Sequence, residues 1–242
     1  MDLPFPSDPL DHAETPAIAY SHIVPLLDSL CTQLSKTRET LVIYDPYYCK
    51  GAVVSNLSEL GFKTVINNKS DFYKDPAKDF DVIVTNPPYS GDHPERLIKF
   101  CLSEGKPWFL LVPNWVYTKP YWLAAVSRLR SDYGFGPIFV APKKRYVYLT
   151  PRGLRDQDDD GKTSPFITFW FVHLGKQTDR ASTNFQVPGA FLVKKTSDLP
   201  MTYMDQFDPE YKRQRNIMKS QKRGKPKEQA WGHKVGKKTF QK

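Results

Sequence analysis

The chain contains one stretch whose residue types and order can do chemistry: Asp81-Val82-Ile83-Val84-Thr85-Asn86-Pro87-Pro88-Tyr89. The apolar β-branched run predicts a buried strand. Pro87 and Pro88 cannot donate to a sheet ladder and fix their own φ, so the strand must stop there. What remains at its end is the Asn86 carboxamide, carbonyls held rigid by proline, and the Tyr89 ring. These are acceptors for N–H groups beside a face on which a flat ring can stack. In open α/β sheets, ligands bind outside the C-terminal ends of the strands.

Other residues belong with this one if the chain folds as alternating strands and helices. Thr40 to Tyr44 reads as a short buried strand, followed by Asp45-Pro46-Tyr47-Tyr48-Cys49-Lys50-Gly51. Lys63 to Ile66 reads as the next strand and ends at Asn67-Asn68, with Ser70-Asp71-Phe72-Tyr73 after it. Trp108 to Val112 is a further strand, ending at Pro113-Asn114-Trp115. Ile138 to Ala141, Tyr146 to Leu149 and Phe166 to Leu174 are strand-like, and Lys143-Lys144-Arg145 lies between the first two. Helical periodicity runs from Ala17 to about Leu34, and Pro25 predicts a kink or two helices there. Ala52 to Leu60 closes on Gly61, Pro94 to Leu102 ends near Gly105, and Tyr121 to Leu129 precedes Gly134, each a helix with a glycine stop.

Strands alternating with helices imply βαβ units and a mainly parallel sheet. The last two strands have no helix between them, which predicts an antiparallel C-terminal hairpin at one sheet edge. Their connection, 150–165, is too polar to pack and too long for a tight turn, and reads as a mobile, substrate-facing loop. Residues 1–14 are rich in Pro and Asp and read as irregular. Residues 15–207 form one domain, and 208–242 a tail.

The 242 residues carry a net charge of +9. From Asp208 to Lys242 twelve Lys/Arg face three Asp/Glu, while the other 207 residues hold 23 of each sign. The tail therefore carries the whole surplus. It reads as a disordered nucleic-acid-binding arm, with a solubility or nuclear-import tail as the alternative. No run approaches the about 20 apolar residues of a membrane span, and the N-terminus lacks the pattern of a signal peptide. Cys31, Cys49 and Cys101 are isolated and read as free thiols in a reducing compartment, neither a disulfide set nor a metal site.

Asn86-Pro87-Pro88-Tyr89 resembles motif IV of the amino-methyltransferases, which move a methyl group from S-adenosylmethionine to a planar nitrogen, most often N6 of adenine. Asp45-Pro46 with Gly51 resembles their motif I, and Glu14-Thr15-Pro16 their motif X. Asp71-Phe72 resembles their motif III. Lys143-Lys144-Arg145 and Ser164-Pro165-Phe166 resemble their late hairpin. The resemblance spans about residues 14–174 and implies a Rossmann-like class I methyltransferase. It implies S-adenosylmethionine as cofactor, held by Thr15, Pro16, Asp45, Pro46, Gly51, Asn67, Asp71, Phe72 and Asn86. Asp45 would meet the methionine ammonium, Asn67 the ribose hydroxyls, Asp71 the adenine amine and Phe72 the adenine ring. Asn86, Pro87, Pro88 and Tyr89 would be catalytic. Tyr89, Asn114, Trp115, Lys143, Lys144, Arg145 and Phe166 would bind the substrate.

Motif I departs from the family in being poor in glycine and carrying Tyr47, Tyr48 and Lys50. The expectation is N6-adenine methylation of nucleic acid, RNA favoured over DNA, in the nucleus or cytoplasm, with or without a protein partner subunit. Two alternatives stay open: protein glutamine N5 methylation, and a non-catalytic RNA-binding subunit of methyltransferase fold. A dinucleotide dehydrogenase is disfavoured, because no G-x-G-x-x-G follows the first strand.

Overall fold

A computed structural model describes residues 14–148, 166–178, 186–204, 212–213 and 215–218. The chain divides into two compact units, Met1–Asp205 and Gln206–Lys242. In the second, residues 212–213 and 215–218 are helical with exposed side chains. Most of the expected arm, all of segment 1–13 and the connection 150–165 lie outside the described residues.

The first unit is a seven-stranded mixed sheet with helices on both faces. Its elements are α1 (Ala17–Ser21), α2 (Val24–Gln33), β1 (Val42–Tyr44), α3 (Ala52–Glu59), β2 (Thr64–Ile66) and β3 (Val82–Thr85). There follow α4 (His93–Glu104), β4 (Trp108–Pro113), α5 (Pro120–Tyr133), β5 (Ile138–Pro142), β6 (Thr168–His173) and β7 (Ala190–Val193). The strand order is β2-β1-β3-β4-β6-β5-β7. β1 to β4 are parallel neighbours. β6 runs antiparallel between β4 and β5, and β7 runs antiparallel to β5. Five strands thus share one direction and two oppose it, an α/β architecture.

Pro25 divides the first helical segment as expected, opening α2 in its first turn while α1 stops at Ser21. Gly61, Gly105 and Gly134 end their helices in the left-handed region, at φ 94°, 66° and 87°. The central strands are buried on both faces, which explains their unbroken apolar runs. Val82, Val84, Phe109 and Leu111 pack towards Leu26, Leu27, Leu30 and Leu57 of α2 and α3. Ile83, Trp108 and Leu110 pack on the other face with Leu97 of α4 and Trp122 of α5. The Trp170 indole donates to Ala19 O at 2.9 Å and ties β6 to α1.

Two expectations change. Residues 145–148 form no strand, and Leu149 is outside the described residues. Both sides of β5 are already taken, by β6 and by β7, so the segment has no ladder to join. Its alternating tyrosines are buried instead: the Tyr146 hydroxyl bonds His22 Nδ1 at 2.8 Å, and the Tyr148 hydroxyl bonds Thr168 Oγ1 at 2.6 Å. Nor does the reversed strand β6 lie at the sheet edge, because β7, which periodicity does not reveal, adds a further strand beyond β5. Among the described residues no helix is long and apolar enough to cross a membrane.

This topology brings the chemistry-bearing residues to one side. Asp45, Asn67, Asn86, Asn114 and Lys143 each follow the last residue of one of the five co-directional strands. Phe166 precedes β6, whose first residue, Thr168, pairs with Pro113 at the same edge.

Candidate active site

Asp45 is 6% exposed, yet its carboxylate is not bare. Oδ1 accepts from Thr85 Oγ1 at 2.6 Å and from the Tyr47 amide at 3.1 Å. Burial raises its carboxyl, against the opposing pull of those two hydrogen bonds, to about 7. A cation docking beside it would draw the proton off.

The segment opening with Thr15 folds over this turn. Glu14 Oε1 accepts from the Lys50 amide at 2.6 Å, and Asn56 Nδ2 donates to Thr15 O at 3.2 Å. The Tyr20 phenol, held far above its usual pKa by burial and then by the Asp45 charge, also hydrogen-bonds Thr15. Thr15 and Asp45, thirty residues apart in sequence, are thus both neighbours of the Tyr20 phenol. Pro16 caps α1 beside it, and Pro46 is buried. Gly51 caps α3 at φ 81°. A Cβ at Gly51 would meet only Tyr48 Cε2, at 3.8 Å, so among the described atoms the demand for glycine is conformational.

Asn67 sits where β2 ends. Its Nδ2 donates to Asp45 O at 3.1 Å and Tyr47 O at 3.4 Å, and its Oδ1 is buried without a partner. A buried acceptor left open costs free energy until a donor arrives. A buried acid and an orphan acceptor thus stand at the ends of adjacent strands, suited to a cation and to a hydroxyl donor.

The next two predicted residues are more committed to the protein. Asp71 accepts from the Tyr73 amide at 3.1 Å and pairs with Lys74 at 3.3 Å. Phe72 is 2% exposed, its ring packed edge-on to Tyr47 at 4.9 Å and to Phe100 at 5.6 Å, with Tyr73 at 4.1 Å. Beside it runs a hydroxyl chain that the sequence motifs do not single out, in which Tyr47 bonds Tyr73 at 2.7 Å and Tyr73 bonds His93 Nδ1 at 2.5 Å. Arg96 caps the Tyr73 ring at 3.4 Å.

On the other side of β3 stands the aromatic group. The Tyr89 phenol donates to Asn86 Oδ1 at 2.5 Å. Its ring lies edge-on to Phe166, centroids 6.1 Å apart, and Phe166 lies edge-on to Trp115 at 6.4 Å. Phe166 is 38% exposed. Arg145 Nη2 donates to Phe166 O at 2.9 Å, and Lys119 reaches over the Trp115 ring at 5.2 Å. Asn86, Tyr89, Trp115, Arg145 and Phe166 are therefore together. The Asn114 side-chain amide donates to Tyr203 O at 3.2 Å, and its backbone N–H donates to Ile167 O at 2.8 Å. The Lys143 ammonium lies over Phe191 at 5.8 Å, away from that group, and Lys144 is exposed.

Thr85, Tyr20 and Tyr73 bond or pack against expected site residues, and the motifs alone do not mark them. Thr85 lies in plain sight inside the strand, but its partner depends on strand order. For Tyr146 and Tyr148 the alternation itself is the signal of a buried face. No protein-family model, curated protein or solved structure matches this chain.

Proposed function

We propose that this chain is an S-adenosylmethionine-dependent methyltransferase acting on N6 of adenine in nucleic acid, with RNA favoured over DNA. The observation that carries the reading is the 2.6 Å bond from Thr85 to Asp45. It links the acid suited to the cofactor's ammonium with the strand that ends, one residue later, in Asn86-Pro87-Pro88-Tyr89.

Thr15, Asp45, Gly51 and Asn67 would hold the cofactor, whose sulfonium supplies an electrophilic methyl group. Asn86 Oδ1 and the Pro87 carbonyl would accept the two N–H bonds of the target amine. That favours pyramidal nitrogen and stabilises the positive charge growing on it. Neither group needs to be a strong base, since the proton leaves readily after transfer. Tyr89 and Phe166 would stack on the base, offsetting the few kcal/mol lost when it leaves a helical stack. Arg145 and Lys119 suit the adjoining phosphates. The basic arm would add sequence-independent affinity, and its charge favours nucleic acid over a glutamine side chain as substrate.

One observation favours a second reading, a non-catalytic RNA-binding subunit. Tyr47, Tyr73 and His93 are hydrogen-bonded to one another from the β1–α3 turn to the start of α4, which ties that turn into the protein. Calorimetric titration with S-adenosylmethionine separates the two. Saturable heat that disappears in Asp45→Ala supports the enzyme, and no heat with the wild-type chain supports the subunit.

A further inference from the structure

The sheet is basic at both ends of its β5–β7 margin, and only one end belongs to the site described above. β5 and β7 are antiparallel neighbours, with Phe139 opposite Val193 and Pro142 opposite Ala190. Lys143 and Lys144 follow β5, at the edge where Asn86 and Asn114 follow their strands. The opposite end, where β5 begins and β7 stops, opens into a cavity of about 180 Å³ lined by Arg130, Lys194, Lys195 and Phe135, beside Gly136. Among the described residues no Asp or Glu lines it. Asp132, the acid closest to Arg130 in sequence, pairs with Arg128 at 3.5 Å. Arg130 lies against bare backbone, since a Cβ at Gly136 would touch its Nε at 3.5 Å. Three positive charges in one concavity repel one another, and an anion placed among them relieves that repulsion.

The cavity is smaller than the ~300–1,000 Å³ of sites that enclose a whole small molecule. It suits one charged group of a longer ligand. The margin between the two ends carries no acid in 138–144 or in 186–195. Phe191 and Val193, two residues apart, share the face that α5 covers, and Lys143 Nζ stands over the Phe191 ring at 5.8 Å. A ring and cations thus occur at each end of the margin.

We propose that the Arg130–Lys194–Lys195 cavity is a phosphodiester subsite for a nucleic-acid strand whose target adenine lies at Asn86. The proposal rests on the reading of nucleic acid as the substrate. Arg130 forks onto two phosphate oxygens, Lys194 and Lys195 add point charges, and Phe135 offers its ring to the adjoining base. β5 is five residues long and lies three strands from β3. At ~3.3 Å per residue along a strand and ~4.8 Å between strands, the cavity is about 20 Å from the end of β3. That is about six phosphates of a stacked strand at ~3.4 Å each, beyond the reach of a trinucleotide.

The experiment titrates the full chain with an adenine-containing trinucleotide and with a single-stranded dodecamer over a series of salt concentrations. It compares the wild type with a triple variant, Arg130→Gln, Lys194→Gln, Lys195→Gln. A control triple, Lys63→Gln, Lys78→Gln, Lys99→Gln, removes the same charge from exposed positions elsewhere. The subsite triple should lower dodecamer affinity about ten-fold and shrink the slope of log affinity against log salt by ~0.7 for the phosphate it no longer neutralises. Its trinucleotide affinity should match the wild type, and the control should keep the wild-type slope. Equal dodecamer slopes for wild type and subsite triple, an equal loss in the control, or an equal loss for the trinucleotide would each overturn the subsite. A slope that depends on the cavity without methyl transfer by the wild type would uphold the subsite and overturn the methyl-transfer reading. Methyl transfer with a slope that the subsite triple leaves unchanged would do the reverse.

Discussion

Thr85 Oγ1 donates to Asp45 Oδ1 at 2.6 Å, joining the ends of two adjacent parallel strands. The bond partly stabilises a carboxylate that burial otherwise drives toward neutrality, up to about 7. The fold thus holds an acid whose charge is unfavourable in the free protein and useful once a cation lies against it.

That conflict predicts an inverted pH dependence. An unfolded Asp titrates near 3.9, below the folded value, so the native state binds more protons between the two. The contribution of Asp45 to stability is therefore fully present below about pH 4 and is lost as pH rises through 7. Three pH units at ~1.4 kcal/mol each set an upper scale of about 4 kcal/mol. Asp45→Asn should raise Tm at pH 8 and about a third as much at pH 5, while abolishing S-adenosylmethionine binding. Wild-type affinity should rise with pH up to about 7, by at most ten-fold per unit. Thermal melts and calorimetry across pH 5–8 measure both, and a stability gain at pH 5 equal to that at pH 8 would contradict the assignment.

Thr85→Val keeps the shape of the side chain and removes the donor. The Asp45 carboxyl should then move further up, and S-adenosylmethionine affinity at pH 7 should fall about five-fold or more, since a hydrogen bond to a charged group is worth ~1.5–3 kcal/mol. Raising the pH to 8.5 should recover part of the loss. A loss independent of pH would assign Thr85 to packing.

Much of this was legible in the sequence. Proline and glycine punctuate it clearly: Pro25 splits the first helix, glycines stop three others, and Pro87-Pro88 end β3. Those signals are local, and so were read well. Strand order is not local. Periodicity could not place β6 inside the sheet, reveal β7, or pair Thr85 with Asp45, because each depends on which strands become neighbours. The 146–149 segment has a strand's alternation and failed only because β5 had no free side. Asn114 stands at a strand end, and the bond it makes to Tyr203 O depends on a residue 89 positions away.

Asn86→Ala should leave Tm and S-adenosylmethionine affinity nearly unchanged. Methyl transfer should drop ~100-fold or more, as expected when one preorganised transition-state acceptor is removed. Steady-state kinetics beside a calorimetric titration of the variant checks both parts. A variant with wild-type turnover would remove Asn86 from the chemistry.

Deleting residues 208–242 removes twelve of the 35 Lys/Arg. The Tm and S-adenosylmethionine affinity of the remainder should be unchanged, since this stretch has too few apolar residues to contribute to the core. Affinity for an oligonucleotide should fall. The slope of log affinity against log salt should shrink by ~0.7 for each single-strand phosphate that the arm no longer neutralises. Equal slopes for the full and shortened chains would mean that the arm does not touch nucleic acid.

The central claim is tested most directly by methyl transfer itself. Tritiated S-adenosylmethionine is incubated with the full chain and separate RNA and DNA pools, and the products are digested to nucleosides for mass spectrometry. The account predicts label in N6-methyladenosine, more from RNA than from DNA, and absent in Asn86→Ala. Label in protein glutamine, or no label in either pool with the wild-type chain, would contradict it.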